Sequence, residues 1–301
     1  MVARHTATRE FDPEYTCREV LAFPCGLVRF LALTVLLASA ASVAAQPVGH
    51  TTSFTLHSAM LNEDRAFQVY VPVDPAPKAA VIYVLDGQAQ FTTVVNALTA
   101  LGQRQHVVIG VGNIWSRDRD YTPTRVSVSA FVDGAVAAVS GGGETFVAHL
   151  QKELIPYVES HYPVGSSRVL IGHSLGGLLG VSILLNHPGI FDKFVIIDPS
   201  MWWDAGRFVN ESRERLRRPF APTTLFLAIA NSTNRDFDDV DVVRADTTQR
   251  AVLIRPSVLL LDQVRTHLTN GIALDWRYYK DQEHTTVFPP AVRDGLAFVL
   301  K

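Results

Sequence analysis

Apolar and polar positions alternate from Phe67 to Val71, with Phe67, Val69 and Val71 on one side and Gln68 and Tyr70 on the other. A period of two predicts a strand with one buried face. Further along, the pattern becomes a series of unbroken apolar runs. Ala79–Leu85 ends in Asp86-Gly87, Val107–Val111 in Gly112-Asn113, and Phe194–Ile197 in Asp198-Pro199. Leu225–Ala230 ends in Asn231-Ser232, and the short run Val169–Ile171 leads into a glycine-rich turn. Such runs predict strands buried on both faces, as in a parallel sheet covered by helices. Alternation returns at Ile272, Leu274, Trp276 and Tyr278, which predicts a last strand.

Helical spacing falls between these runs. Phe146, Leu150, Leu154 and Val158 recur every four residues, with Val147 and Ile155 beside them. Leu175–Leu185 reads as a helix leaving the glycine-rich turn. Ser257 is placed to cap a helix carrying Leu261, Val264 and Leu268, with Gly271 after its end. Pro289 and Pro290 open a last helix with Val292, Leu296 and Val299 on one face. Strands alternating with helices predict an α/β chain with a mostly parallel central sheet and helices on both faces. Ligands of such sheets sit at the carboxyl ends of the strands. Asp86-Gly87, Asn113, Ser174, Asp198, Asn231 and the loop after Tyr279 all fall there.

The N-terminus has a different character. Leu27–Ala45 is apolar apart from Arg29 and small hydroxyl residues, and it closes on Ser42-Val43-Ala44-Ala45-Gln46. This is the pattern of an export signal cleaved after Ala45. Residues 1–45 are expected to be a leader and 46–301 a single catalytic domain, periplasmic or secreted, with no lasting membrane anchor. Residues 1–26 are long and acidic for the start of a signal, so Val28 is an alternative initiator and the first 27 residues an over-extended gene start. Both cysteines, Cys17 and Cys25, lie in the leader. The mature chain would then have no disulfide and no thiolate chemistry. Four basic and four acidic leader residues cancel, so the net charge of −2 belongs to the remainder. No basic stripe points to nucleic acid.

The chemistry centres on Gly172-His173-Ser174-Leu175-Gly176. A G-x-S-x-G sequence between a strand and a helix is a nucleophile elbow, which lifts one hydroxyl above the sheet. The Leu175 N–H, at the helix N-terminus, is placed to hold an oxyanion. A second donor is expected from the loop after the Ala79–Leu85 strand, at Gly87. With such an elbow the chain order is nucleophile, acid, histidine. Of the ten histidines, only His284 follows the last strand, and it is the expected base. The acid is more open. Asp239 and Asp236 rank first among the carboxylates after the Leu225–Ala230 strand. Asp238 and Asp241 share that loop, Asp198 ends the preceding strand, and a dyad without an acid is a further alternative. No metal-ligand spacing and no phosphate loop occur, so no metal and no cofactor is expected. The expected partner is a small-molecule ester, cleaved through an acyl-enzyme. An acyltransferase, or a non-catalytic periplasmic ligand-binding protein, are the alternatives.

Several blocks then occur in a telling order. They are Tyr83-Val84-Leu85-Asp86-Gly87-Gln88, Arg119-Asp120-Tyr121-Thr122-Pro123, Gly141-Gly142-Gly143-Glu144-Thr145-Phe146, the elbow, and Pro199-Ser200-Met201-Trp202-Trp203. Together they resemble the esterase D-like family of α/β-hydrolases over roughly residues 50–301. The pattern is most similar to its periplasmic siderophore-esterase branch. The resemblance implies the α/β-hydrolase fold, Ser174 and His284 as the catalytic pair, and Gly87 and Leu175 as oxyanion donors. It also implies Arg119 in a substrate-contacting loop. Tyr121, Trp202 and Trp203 would share that rim, where an indole pair can stack an aromatic group. A siderophore or other aromatic ester is the expected substrate, with Arg119 attracting an anionic catecholate; a small-acyl or carbohydrate ester is the alternative. The chain departs from the family at two places. Asp198-Pro199-Ser200 stands where relatives often have Ser-Pro-Ser, and Ser232 stands where many have a carboxylate.

Overall fold

The computed structural model describes residues 49–76, 79–113, 117–232 and 237–301. The expected leader, its cleavage point and both cysteines lie outside the described residues. The described chain opens with a hairpin of β1 (Gly49–Ser58) and β2 (Glu63–Pro72). Then come β3 (Val81–Leu85), α1 (Gly87–Ala100), β4 (Val107–Val111), α2 (Arg117–Asp120) and α3 (Gly134–Val139). Next, α4 (Gly143–His149) passes through a π-helical stretch (Leu150–Leu154) into α5 (Ile155–His161). The remainder alternates: β5 (Arg168–His173), α6 (Leu175–Asn186), β6 (Lys193–Ile197), α7 (Trp203–Arg215) and β7 (Thr223–Ala230). It closes with α8 (Val240–Ala245), α9 (Arg255–Thr266), β8 (Ile272–Tyr279) and α10 (Phe288–Val299).

The eight strands form one sheet in the order β1-β2-β4-β3-β5-β6-β7-β8. β1 and β2 are antiparallel to their neighbours, and every pair from β4 to β8 is parallel. This is the α/β-hydrolase fold. Successive side chains of β3 split between its faces. Val81, Tyr83 and Leu85 pack with Phe146, Leu150, Leu178 and Val258, whereas Ile82 and Val84 pack with Phe91, Val94, Val292 and Leu296. Thus α1 and α10 cover one face, and α4 to α7 and α9 the other. A side chain of this size sealed between sheet and helix contributes about 1.5–3 kcal/mol relative to exposure. Among the described residues no helix is long and apolar enough to cross a membrane.

The structure adds elements that periodicity alone does not single out. β1 is mostly polar, with Phe54 and Leu56 its apolar side chains against the core; Phe54 stacks on Phe67 at 4.9 Å and on Tyr157 at 4.6 Å. α1 buries Phe91, Val94, Val95 and Leu98 at helical spacing, diluted by threonines and an asparagine. Ser257 does not cap its helix. α9 starts two residues earlier with Pro256 in its first turn, and the Ser257 hydroxyl donates to the Pro199 carbonyl (3.0 Å). That bond ties α9 to the turn after β6. Leu268 lies beyond α9 in a short 3₁₀ turn and is exposed.

Candidate active site

Ser174 sits between the last residue of β5 and the first of α6, at φ 60° and ψ −122°. A non-glycine residue at positive φ is strained and persists only if its surroundings hold it. Here the Ser174 N–H donates to the Ile197 carbonyl (3.1 Å), and its own carbonyl accepts from Ser200 N–H (3.0 Å) and Leu178 N–H (3.0 Å). Gly172 makes the bend possible. A Cβ there would lie 2.3 Å from the Gly176 carbonyl oxygen, closer than any real contact.

The β8–α10 loop brings His284 to the elbow. Its Nε2 lies 2.9 Å from Ser174 Oγ, and its Nδ1 lies 2.6 Å from Asp198 Oδ2. A carboxylate only accepts, so Nδ1 carries the proton and the Nε2 lone pair faces the serine hydroxyl. Asp198 is buried at the end of β6. Its Oδ1 accepts from Ala230 N–H (3.0 Å), and its Oδ2 also accepts from Ser232 Oγ (2.5 Å).

The carboxylate beside His284 is therefore Asp198, not Asp239. Asp239 is exposed and caps α8, accepting from Asp241 N–H (2.7 Å) and Val242 N–H (3.0 Å). Asp236, the next candidate, lies outside the described residues. The two departures from the family pattern are the sequence signal for the carboxylate beside His284. An aspartate appears at the end of β6, and the position that often carries a carboxylate after β7 holds Ser232, whose hydroxyl donates to that aspartate.

His173 also belongs here, although its place beside Ser174 suggests a ring turned away. Its Nε2–H donates to the His284 carbonyl at 2.9 Å, and the two rings lie 4.6 Å apart. Phe288 meets it edge-on at 5.9 Å. Burial, reinforced by the neighbouring His284, pushes its pKa down to about 4. The ring is thus neutral near pH 7 and braces the loop that carries His284.

The Asp86–Gly87 turn faces the elbow across the site. Gly87 and Leu175 are the first residues of α1 and α6, so neither N–H has an acceptor within its own helix, and both lie at the positive ends of helix dipoles. Packing requires glycine at position 87: a Cβ there would lie 2.4 Å from the Gly110 carbonyl carbon of β4. Asp86 itself has φ 53°, and its N–H donates to Tyr121 Oη (2.9 Å). Burial pushes the Asp86 carboxyl up, and Arg117 opposes this with its Nε–H at 2.9 and 3.1 Å from the two oxygens.

Three of the four expected rim residues are placed elsewhere. Tyr121 is fully buried and supports the Asp86 turn from below. Arg119 is bound to Glu63 (2.7 Å) and Asp120 (2.7 Å), in a network with Arg65 that ties β2 to α2. The cation at the cleft is Arg117, whose neighbour Asp118 and partner Asp86 carry no motif that would mark it. Trp203 is buried, and its indole N–H is shared between the Thr124 carbonyl and hydroxyl at 3.2 Å each. Trp202 alone reaches an open surface, facing Phe131 at 5.8 Å. The open cleft over Ser174 has a volume of about 330 Å³, bounded by Asp86, Gln88, Gln90, Arg117, His173 and His284. Among the described residues, no group of three or more His, Cys, Asp or Glu is placed to hold a metal ion.

Sheet, helix cover and site define an ester hydrolase of the α/β-hydrolase fold. The chain belongs to the Putative esterase family, which it matches over residues 58–247. It is similar to the ferri-bacillibactin esterase BesA of Bacillus subtilis (strain 168), with 26% identity over 262 residues, covering 79% of this chain and 86% of BesA. A siderophore enterobactin esterase of Emericella nidulans is 25% identical over 254 residues, covering 75% of this chain and 84% of that protein. An IroE-like serine hydrolase from Shewanella oneidensis shares the fold with a TM-score of 0.73 and 27% identity, over 82% of this chain and 79% of that one.

Proposed function

We propose that this chain is an exported serine esterase working through Ser174, His284 and Asp198. The observation that carries this reading is the unbroken line from Ser174 Oγ through both ring nitrogens of His284 to Asp198. As Ser174 Oγ attacks the ester carbonyl, His284 Nε2 takes its proton. Asp198 holds the tautomer and offsets the charge on the imidazolium. The N–H groups of Gly87 and Leu175 receive the oxyanion, where each such donor is worth about 10²–10³ in rate. The Nε2 proton then goes to the leaving alcohol oxygen as its bond to carbon breaks. In the second half, water attacks the acyl carbon and gives a proton to His284, which returns it to Ser174 Oγ as the acyl–enzyme bond breaks.

The leader supports a periplasmic or secreted location. The siderophore esterases among the relatives support a siderophore or other aromatic ester as the substrate class. In this chain Arg117, rather than Arg119, offers the cation beside the nucleophile, although Asp86 already neutralises it. The mature protein is expected to hydrolyse p-nitrophenyl butyrate, and Ser174→Ala to lower kcat by ~10³-fold or more. Organophosphonate labelling at another residue, or full turnover in Ser174→Ala, would refute the assignment.

A further inference from the structure

A second cavity lies past the turn after β6, and its chemistry differs. It has a volume of about 540 Å³, within the range of small-molecule sites. Its walls come from the segment Val126–Val132 on one side and from Trp202, Ala205, Val252 and Pro256 on the other. Phe131 and Val128 are 45% and 66% exposed, so large apolar side chains stand open to water at its mouth. Ser127, Ser129 and Asp204 are the polar residues among those lining it, and Asp204 already leans toward Arg207 at 3.8 Å. No lysine or arginine is among the described lining residues.

The groove is close to the nucleophile. Ser200 Oγ lies 3.4 Å from Ser174 Oγ, and Trp202 follows two residues later, so their Cα atoms are at most about 7 Å apart. The Ser257–Pro199 bond holds the Pro256 wall of the groove against the same turn. After the first half-reaction the acyl group stays on Ser174 while the alcohol leaves and water enters. The cleft, lined by Asp86, Gln88, Gln90 and Arg117, suits the alcohol and the water. The groove suits the acyl group.

We infer that the groove between Phe131 and Trp202 is the acyl-group site of this enzyme and selects an apolar, uncharged acyl group. This rests on the serine-esterase reading and, within the proposed substrate class, favours an uncharged ester over an anionic siderophore. The acyl group passes Ser200 and lies along the groove against the Trp202 and Phe131 rings, which touch one another at 5.8 Å. A carboxylate at its end meets apolar walls and Asp204, so it is rejected.

The test uses the mature protein and p-nitrophenyl esters from acetate to octanoate, with a mono-p-nitrophenyl ester of suberic acid as the charged partner of octanoate. Burying one methylene multiplies kcat/KM by about three to four, so octanoate is expected to exceed acetate at least tenfold. The suberate ester is expected to fall below octanoate by a similar factor. Phe131→Ala and Trp202→Ala should each lower the octanoate-to-acetate ratio severalfold. Val128→Asp, at an exposed position that tolerates a charge without unfolding, should lower it as well. A flat chain-length series, equal rates for octanoate and suberate, or variants that change both esters by the same factor would overturn the inference. None of these results depends on whether Ser174 is the nucleophile, which Ser174→Ala and phosphonate labelling test separately.

Discussion

Replacing Asp198 by asparagine alters one atom of the side chain and tests the site most directly. In the native protein the carboxylate accepts three bonds, from His284 Nδ1–H at 2.6 Å, Ser232 Oγ at 2.5 Å and Ala230 N–H at 3.0 Å. An amide has one oxygen and an NH₂ that only donates. If its oxygen stays on Ala230, the NH₂ faces His284 and favours the tautomer with the proton on Nε2, which leaves no lone pair for Ser174. In the serine-protease template the same change lowers kcat about 10⁴-fold. At 1.36 kcal/mol for each factor of ten, that is a barrier about 5.5 kcal/mol higher. Asp198 is buried and does not line the cleft, so KM should stay nearly constant. Losing a charged hydrogen bond costs about 1.5–3 kcal/mol of stability. For a domain of this size that lowers Tm by roughly 3–12 °C. The control is Asp239→Asn, which keeps a good helix cap and should leave both kcat and Tm near wild type. Steady-state kinetics with p-nitrophenyl butyrate and a thermal melt measure both quantities. An inactive Asp239→Asn beside a fully active Asp198→Asn would refute the assignment of the acid.

Tyr121→Phe strands the buried Asp86 N–H without its acceptor; it should cost about 1–3 kcal/mol in stability and lower kcat more than it raises KM, read by denaturant unfolding and kinetics. His173 gives a pH signature. Its native pKa of about 4 lies below the ordinary 6.5, so between those values the unfolded chain binds the proton and the native protein does not. Stability is therefore complete above pH 6.5 and falls as pH drops toward 4, by about 3 kcal/mol from this residue. His106 and His149, also pushed down by burial, add to the same slope. His173→Gln should flatten the stability profile in that window, and an unchanged slope in denaturant melts would show that His173 is not the source.

The parallel strands and the elbow are readable in the sequence because each follows from a short-range rule, and His284 stands out by its place in chain order. Runs buried on both faces need no tertiary information, and the elbow is a contiguous motif. The acid is different, because its position depends on which strand ends meet above the sheet. Loop composition draws attention to the aspartates after β7, whereas adjacency in the sheet puts Asp198 beside the strand that leads to Ser174. The rim residues show the same limit. Arg119 and Arg117 are two residues apart on a single helical turn, and only packing decides that one meets Glu63 while the other faces the cleft. Trp202 and Trp203 are likewise neighbours with opposite fates, since one indole finds Thr124 in the interior and the other finds Phe131 at the surface.

The bonds between the Ser174 and Ile197–Ser200 backbones bear on how this scaffold can be altered. With Asp198 directly after β6, Ser174 and Asp198 are stitched together by main-chain contacts on adjacent strands. From the connection between β7 and α8, the Ser232 hydroxyl donates to Asp198. Phe237 is held separately, because its carbonyl accepts from Asn231 Nδ2 (3.2 Å) and from the Tyr278 hydroxyl (2.7 Å). Substitutions on the exposed side of α8, Val240–Ala245, can therefore accumulate while the reactive line stays in register.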